Sequence, residues 1–256
     1  MRFGCCAGLD QIQRVQDAGY DYIELVVGTV KPEQADSEFE LVRELLDSFE
    51  IRPEAWNCLI PGQMRVVGPE VDLYRVERYL RTAFERIEEV GGEIVVFGSG
   101  GARRVPDGFP MDEARDQLCE ALTIAGQVAG AYGITIALEP LASSATNIIN
   151  TLPQGAELVK KVDHPFVKLL ADLQHMADEG ETVSVIGTLD VEIVHAHTAD
   201  TDRRYPGSGS YPTREFIQAL KSVGYDGRLS VECVWGDFYA ECPKALEFLR
   251  ELDART

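Results

Sequence analysis

Short apolar runs alternate along this chain with longer stretches whose apolar residues recur every three or four positions. Leu73, Val76, Leu80, Ala83, Phe84 and Ile87 keep helical spacing, as do Leu118, Leu122, Ala125 and Val128. Between such stretches a turn carrying glycine leads into a strand-like run. Ala18-Gly19-Tyr20-Asp21 opens onto Tyr22–Val26, Gly91-Gly92 onto Glu93–Phe97, Gly133 onto Ile134–Glu139, and Gly224-Tyr225-Asp226-Gly227 onto Leu229–Glu232. Glycine just past a helix end supplies the left-handed residue that turns the chain back. The pattern predicts eight strands, near 2–6, 22–26, 51–57, 93–98, 134–139, 167–172, 191–197 and 228–233.

Eight strands alternating with helices predict an α/β fold, a single (β/α)8 TIM barrel domain over residues 1–256, with a doubly wound open sheet as the rival. Length agrees, because 256 residues is close to the roughly 250 typical of such barrels. Composition narrows the partners. With 43 acidic and 24 basic side chains the formal charge is −19, so nucleic acid and anionic membrane surfaces are not expected partners. No apolar run approaches the roughly 18 residues of a membrane span, and the N-terminal residues lack the apolar core of a signal peptide. Six cysteines without a Cys-x-x-Cys pair fit reduced thiols and a cytoplasmic setting.

A barrel directs attention to the C-terminal ends of its strands, where catalytic residues collect. The fifth strand ends in Glu139, the sixth in Asp172, the seventh in His197 and the eighth in Glu232. In the fifth strand Thr135, Ala137 and Glu139 share the face suited to a crowded barrel interior, while Ile134, Ile136 and Leu138 suit the helix layer. Each residue alone has an ordinary explanation: an ion pair for either glutamate, a helix cap for Asp172, interior packing for His197. Together they form one rim of three carboxylates and an imidazole. Without a cation three converging carboxylates repel one another and take up protons. One divalent ion removes that cost, and the donor set favours Mn²⁺ or Mg²⁺, with Co²⁺ or Zn²⁺ also compatible.

These residues carry a resemblance to the sugar-phosphate isomerase/epimerase family of xylose isomerase-like TIM barrels, strongest from Ile134 to Glu232. Leu138-Glu139-Pro140-Leu141 resembles that family's first-ligand motif, with Asn147 eight residues beyond Glu139. Asp172-Leu173-Gln174-His175-Met176 resembles its Asp-x-x-His segment, and His195-Ala196-His197 with downstream Asp200 and Arg203 its His-x-His segment. The resemblance implies Glu139, Asp172, His197 and Glu232 as metal ligands, His175 and Arg203 as contacts for substrate oxygens, and Glu139 with Glu232 as the acid/base pair. One departure stands out: where many ketose epimerases of the family carry Asn-Arg-Phe-Glu, this chain has Ala142-Ser143-Ser144-Ala145.

The function implied is a metal-dependent isomerase or epimerase of a small sugar or keto-sugar, phosphorylated or not, working through an enediolate. The same groups suit dehydration of a keto-inositol or related β-hydroxy ketone, which makes a lyase the alternative. An endonuclease IV-like phosphodiesterase would draw further histidines from the third and fourth strands, where Asn57 and Gly98 stand. A non-catalytic sugar-binding barrel would not need all four strand ends. The expected partner is a small sugar, and assembly into a homo-oligomer is left open. Phe97–Arg104 reads either as a flexible rim loop near the substrate in which Arg103 or Arg104 meets an anion, or as a solvated loop. Glu24, Trp56 and Asn57 read as residues lining the mouth or packing, and His195 as support behind His197.

Overall fold

The structure is a computed structural model that describes all 256 residues. Eight parallel strands close into a barrel in chain order: β1 (Arg2–Cys6), β2 (Tyr22–Val26), β3 (Ala55–Asn57), β4 (Ile94–Phe97), β5 (Thr135–Leu138), β6 (Val167–Asp172), β7 (Ile193–Thr198) and β8 (Arg228–Val231), with β8 pairing back onto β1. The helices are α1 (Ile12–Ala18), α2 (Asp36–Asp47), α3 (Leu73–Glu89), α4 (Gly100–Arg103), α5 (Met111–Ala131), α6 (Leu152–Val162), α7 (Leu173–Asp178), α8 (Thr213–Ser222) and α9 (Phe238–Asp253). Closure of the sheet excludes the open-sheet alternative.

The expected third strand, 51–57, is only Ala55–Asn57. Pro53 has no N–H to give to a ladder, which confines regular pairing to the residues after it. Glu139 and Glu232 lie one residue past β5 and β8, yet their backbone N–H groups still donate across the sheet to Phe97 and Thr198.

Alternation divides the apolar residues into two sets. Inside the barrel sit Tyr22, Ala55, Ile94, Val96, Ala137 and Leu170. The larger core lies between barrel and helices and takes Ile134, Ile136 and Leu138 together with Val76, Leu80, Phe84 and Ile87 of α3. Asp72 caps α3 by accepting from the Arg75 N–H at 3.0 Å. Inside space is scarce near the bottom, where a side chain on Gly4 would run into the Tyr22 ring at 2.2 Å. There Arg2 and Arg228 converge on Glu54, and Arg228 also pairs with Glu93. That plug belongs to the end of a barrel associated with stability, opposite the mouth.

One irregularity bears on the mouth. Leu169 of β6 pairs with Ile193 but the next residue, Leu170, pairs with His195, so β7 carries a bulge at Val194. The extra residue leaves Ile193 in the outer core while His195 and His197 both turn inward.

Candidate metal centre and active site

Glu139, Asp172, His197 and Glu232 meet at the C-terminal mouth. The His197 Nδ1 lies 3.1 Å from Glu139 Oε1, 3.7 Å from Glu232 Oε2 and 3.9 Å from Asp172 Oδ2. The carboxylates of Glu139, Asp172 and Glu232 also come within 4.8 Å of one another and of a His175 ring nitrogen. Glu139, Asp172 and both histidines are buried, while the Glu232 side chain at the rim keeps 21% of its surface exposed. Arg203 donates to Glu232 Oε2 at 3.0 Å. The five sequence-expected side chains around His197 are therefore one cluster rather than scattered strand ends.

Local chain chemistry holds each of them. Asp172 ends β6 and caps α7: its Oδ1 accepts from the His175 N–H at 3.0 Å, which leaves Oδ2 toward His197. The capping and site readings of Asp172 are compatible, one per oxygen. His175 sits in the first turn of α7, and its Nδ1 accepts from the Ala142 N–H at 3.2 Å. An accepting Nδ1 carries no proton, so the neutral ring has its proton on Nε2 and is a donor there. Arg203 follows Asp202, and both adopt left-handed backbone, φ 56° and 60°. Such strain persists only when surroundings impose it. Here buried Asp200 accepts from the N–H groups of Thr201, Gly207 and Tyr211, pinning the loop that carries Arg203.

Burial and like charge act together on the acidic groups of this cluster. Burial pushes the Glu232 carboxyl up to about 8; His197 opposes this, and Glu139 and Asp172 add like-charge repulsion. Burial alone would lower the His197 imidazole, but Glu24 and then Glu139 raise it well above its ordinary value. Three carboxylates and an imidazole, faced by one guanidinium, suit a hard or borderline divalent ion in both charge and donor type.

Three residues play parts that the linear pattern hides. Glu24, which reads from the sequence as lining the mouth or packing, is fully buried inside the barrel, behind His197. The Nε2 of His197 lies 2.9 Å from Glu24 Oε1 and the Nε2 of His195 2.8 Å from Oε2, to which the Ser230 hydroxyl donates at 2.6 Å. The Tyr22 hydroxyl in turn donates to Ser230 at 2.8 Å. A charged residue at the centre of the apolar run Tyr22–Val26 was the available signal.

Arg103 is the second. The expected solvated loop contains the single helical turn α4, and the Arg103 side chain is fully buried. It donates to the carbonyls of Glu139 at 2.7 Å and Phe97 at 3.4 Å rather than to an anion. Burial lowers its guanidinium to about 10. Gly98 is the third: a β-carbon there would lie 2.2 Å from Glu139 Oε2. Glycine at the end of β4 is what leaves room for the Glu139 carboxylate.

Of the other readings, Trp56 packs in the outer core with its indole N–H on the Pro53 carbonyl at 2.8 Å. Asn147 does not reach the cluster; its side-chain amide bonds both backbone groups of Val105. Ser143, Ser144 and Ala145 form an exposed turn fixed by Glu179 on the Ser143 N–H and by Arg104 on the Ala145 carbonyl.

Residues 12–252 match the family described as xylose isomerase-like TIM barrel. The D-psicose 3-epimerase of Ruminiclostridium cellulolyticum is 35% identical over 114 residues, spanning 44% of this chain and 39% of that one. The L-ribulose 3-epimerase of Methylomonas sp. is 27% identical over 91% of this chain and 87% of its own. An inosose isomerase of Halalkalibacterium halodurans is 25% identical over 86% and 80%. Among solved structures, D-psicose 3-epimerase with D-tagatose from Clostridium cellulolyticum H10 superposes with a TM-score of 0.85 at 21% identity, covering 99% of both chains. The IOLI protein with a binding zinc atom superposes at 0.75 and 20% identity, covering 100% of this chain and 97% of that one.

Proposed function

The chain belongs to the xylose isomerase-like TIM barrel family, and we propose that it is a divalent-metal-dependent epimerase or isomerase of a small keto-sugar. The observation that carries the reading is the convergence of Glu139, Asp172, Glu232 and the His197 Nδ1 at one buried point of the mouth. Epimerase and isomerase relatives along most of the chain support the reaction class, and the zinc-bound fold neighbour supports a divalent ion. Mn²⁺ is the ion we assign first, from the oxygen-rich donor set.

The four residues Glu139, Asp172, His197 and Glu232 would hold the ion. When bound, it supplies a fixed positive charge that stabilises the negative charge developing on substrate oxygens as a neighbouring carbon loses its proton. The chain's own residues do the rest. One of Glu139 and Glu232 takes the proton through a carboxylate oxygen; for epimerisation the other returns one from the opposite face. Each such transfer is worth about 10²–10⁴-fold. Arg203, paired with Glu232 at the rim, holds a substrate oxygen and opposes protonation of that carboxylate. His175, its proton fixed on Nε2 by the Ala142 N–H, donates to a substrate oxygen from within the cluster.

The test is a panel of ketoses, keto-inositols and their phosphates incubated with Mn²⁺-loaded protein in deuterated water. The reading predicts interconversion of one substrate with deuterium entering at the carbon next to the carbonyl. Net loss of water from a substrate would replace it with the dehydratase reading. No turnover of any member would contradict both.

A further inference from the structure

We propose that Glu24 is a positioning residue that fixes the tautomer of His197, and so turns an unprotonated Nδ1 toward the metal centre. The inference rests on the reading above that Glu139, Asp172, His197 and Glu232 hold a divalent ion.

A neutral imidazole carries one proton, and only the nitrogen without it binds a metal. The choice is made by what the other nitrogen meets. The two nitrogens of His197 face opposite surroundings. Nδ1 points at the three mouth carboxylates, at 3.1, 3.7 and 3.9 Å. Nε2 points down the barrel at Glu24 Oε1, 2.9 Å away. A carboxylate ringed by donors acts as an acceptor, and Glu24 is so placed: Ser230 Oγ donates to its Oε2 at 2.6 Å and His195 Nε2 lies 2.8 Å from the same oxygen. Nε2 must therefore carry the proton, which leaves Nδ1 to the ion.

The carboxylate is itself clamped. His195 and Ser230 donate to Glu24 Oε2, Tyr22 donates to Ser230, and Glu24, His195, His197, Ser230 and Tyr22 are all fully buried. The His195 Nδ1 is buried with no partner. A proton placed there would be a stranded donor, so His195 also keeps its proton on Nε2, aimed at Glu24. Three donors thus fill the inner end of the barrel around one acceptor group. A glutamine in that place presents an NH₂ to at least one of them and removes the charge that makes the His197 imidazole a stronger ligand.

The experiment is calorimetric titration of the metal-free protein with Mn²⁺, comparing wild type, Glu24→Gln and Ser230→Ala. Loss of a partner behind a ligating histidine weakens metal binding about 10–100-fold, and Glu24→Gln is expected in that range. Ser230→Ala cuts the same buried network without touching His197, and is expected to stay within about threefold of wild type. A purely structural role would move both alike. In the Zn²⁺-loaded wild type, ¹⁵N shifts of His197 should show a protonated Nε2. Unchanged affinity in Glu24→Gln, equal losses in both variants, or a proton on Nδ1 each overturn the proposal. Should Glu24→Gln fail to fold, the wild-type tautomer decides alone. Absence of Mn²⁺ and Zn²⁺ binding in the wild type overturns the metal-centre reading first, and this inference with it.

Discussion

Gly98→Ala is a one-carbon change that should disable this site without substituting a proposed ligand. The added methyl carbon would stand 2.2 Å from Glu139 Oε2, and contacts to a β-carbon below 3.0 Å are essentially never seen. One of the two must therefore move by about 0.8 Å or more. The β4 backbone is poorly placed to yield, because it pairs along Ile94–Phe97 with β5 and Arg103 bonds the Phe97 carbonyl. The carboxylate moves instead, away from the 3.1 Å contact with His197. Overpacking of this size costs about 1–3 kcal/mol of stability, too little to unfold a barrel of this size. The effect on chemistry is larger, since a misplacement near 1 Å costs on the order of 10²-fold. The assay is kcat/KM on the substrate identified by the panel, with Mn²⁺ affinity and urea unfolding measured in parallel. A folded Gly98→Ala protein with wild-type turnover and wild-type affinity would show that Glu139 does not work from the position described.

Glu139→Gln and Glu232→Gln should each lower turnover by at least about 10²-fold while remaining folded; a fully active variant in steady-state assay removes that residue from the acid/base pair. Arg103→Ala should destabilise by about 2–5 kcal/mol, through a large buried side chain lost and the Glu139 carbonyl deprived of the Arg103 donor, as read by urea denaturation. The metal-free protein should lose stability as pH rises from about 5 to 8. An unfolded glutamate loses its proton near 4.5 while folded Glu232 keeps it to about 8, so its cost grows across that window, and the raised His197 contributes in the same direction. Added Mn²⁺ relieves the repulsion, so the rise in Tm on metal addition should be larger at pH 8 than at pH 6; an equal or smaller rise would refute the charge account.

What the linear pattern revealed follows from periodicity and from the rule that barrel chemistry collects at strand ends. Glu139, Asp172, His197 and Glu232 each close a short apolar run, and alternation within β5 puts Glu139 on the inner face. The hidden features depend on distance along the chain. Glu24 meets His195 and His197 across 171 and 173 residues, and no local spacing announces that pairing. Arg103 lay in a run of glycines and arginines that resembles a solvated loop, because helix α4 is too short to leave a periodic trace. Gly98 matters for an atom 41 residues away, Glu139 Oε2, and an absent side chain leaves no motif. The bulge at Val194 likewise lies in strand pairing rather than in residue type.

The measurement that bears most directly on the whole account is metal stoichiometry in wild type and Asp172→Ala after loading with Mn²⁺ and desalting. Asp172 contributes one oxygen to the cluster and one to the cap of α7, so a folded Asp172→Ala protein tests the site itself; Asp172→Asn, which can still cap, is the control for folding. The account predicts one divalent ion per wild-type chain and much less than one in both variants. A wild type that retains none, or variants that retain as much as wild type, would contradict it.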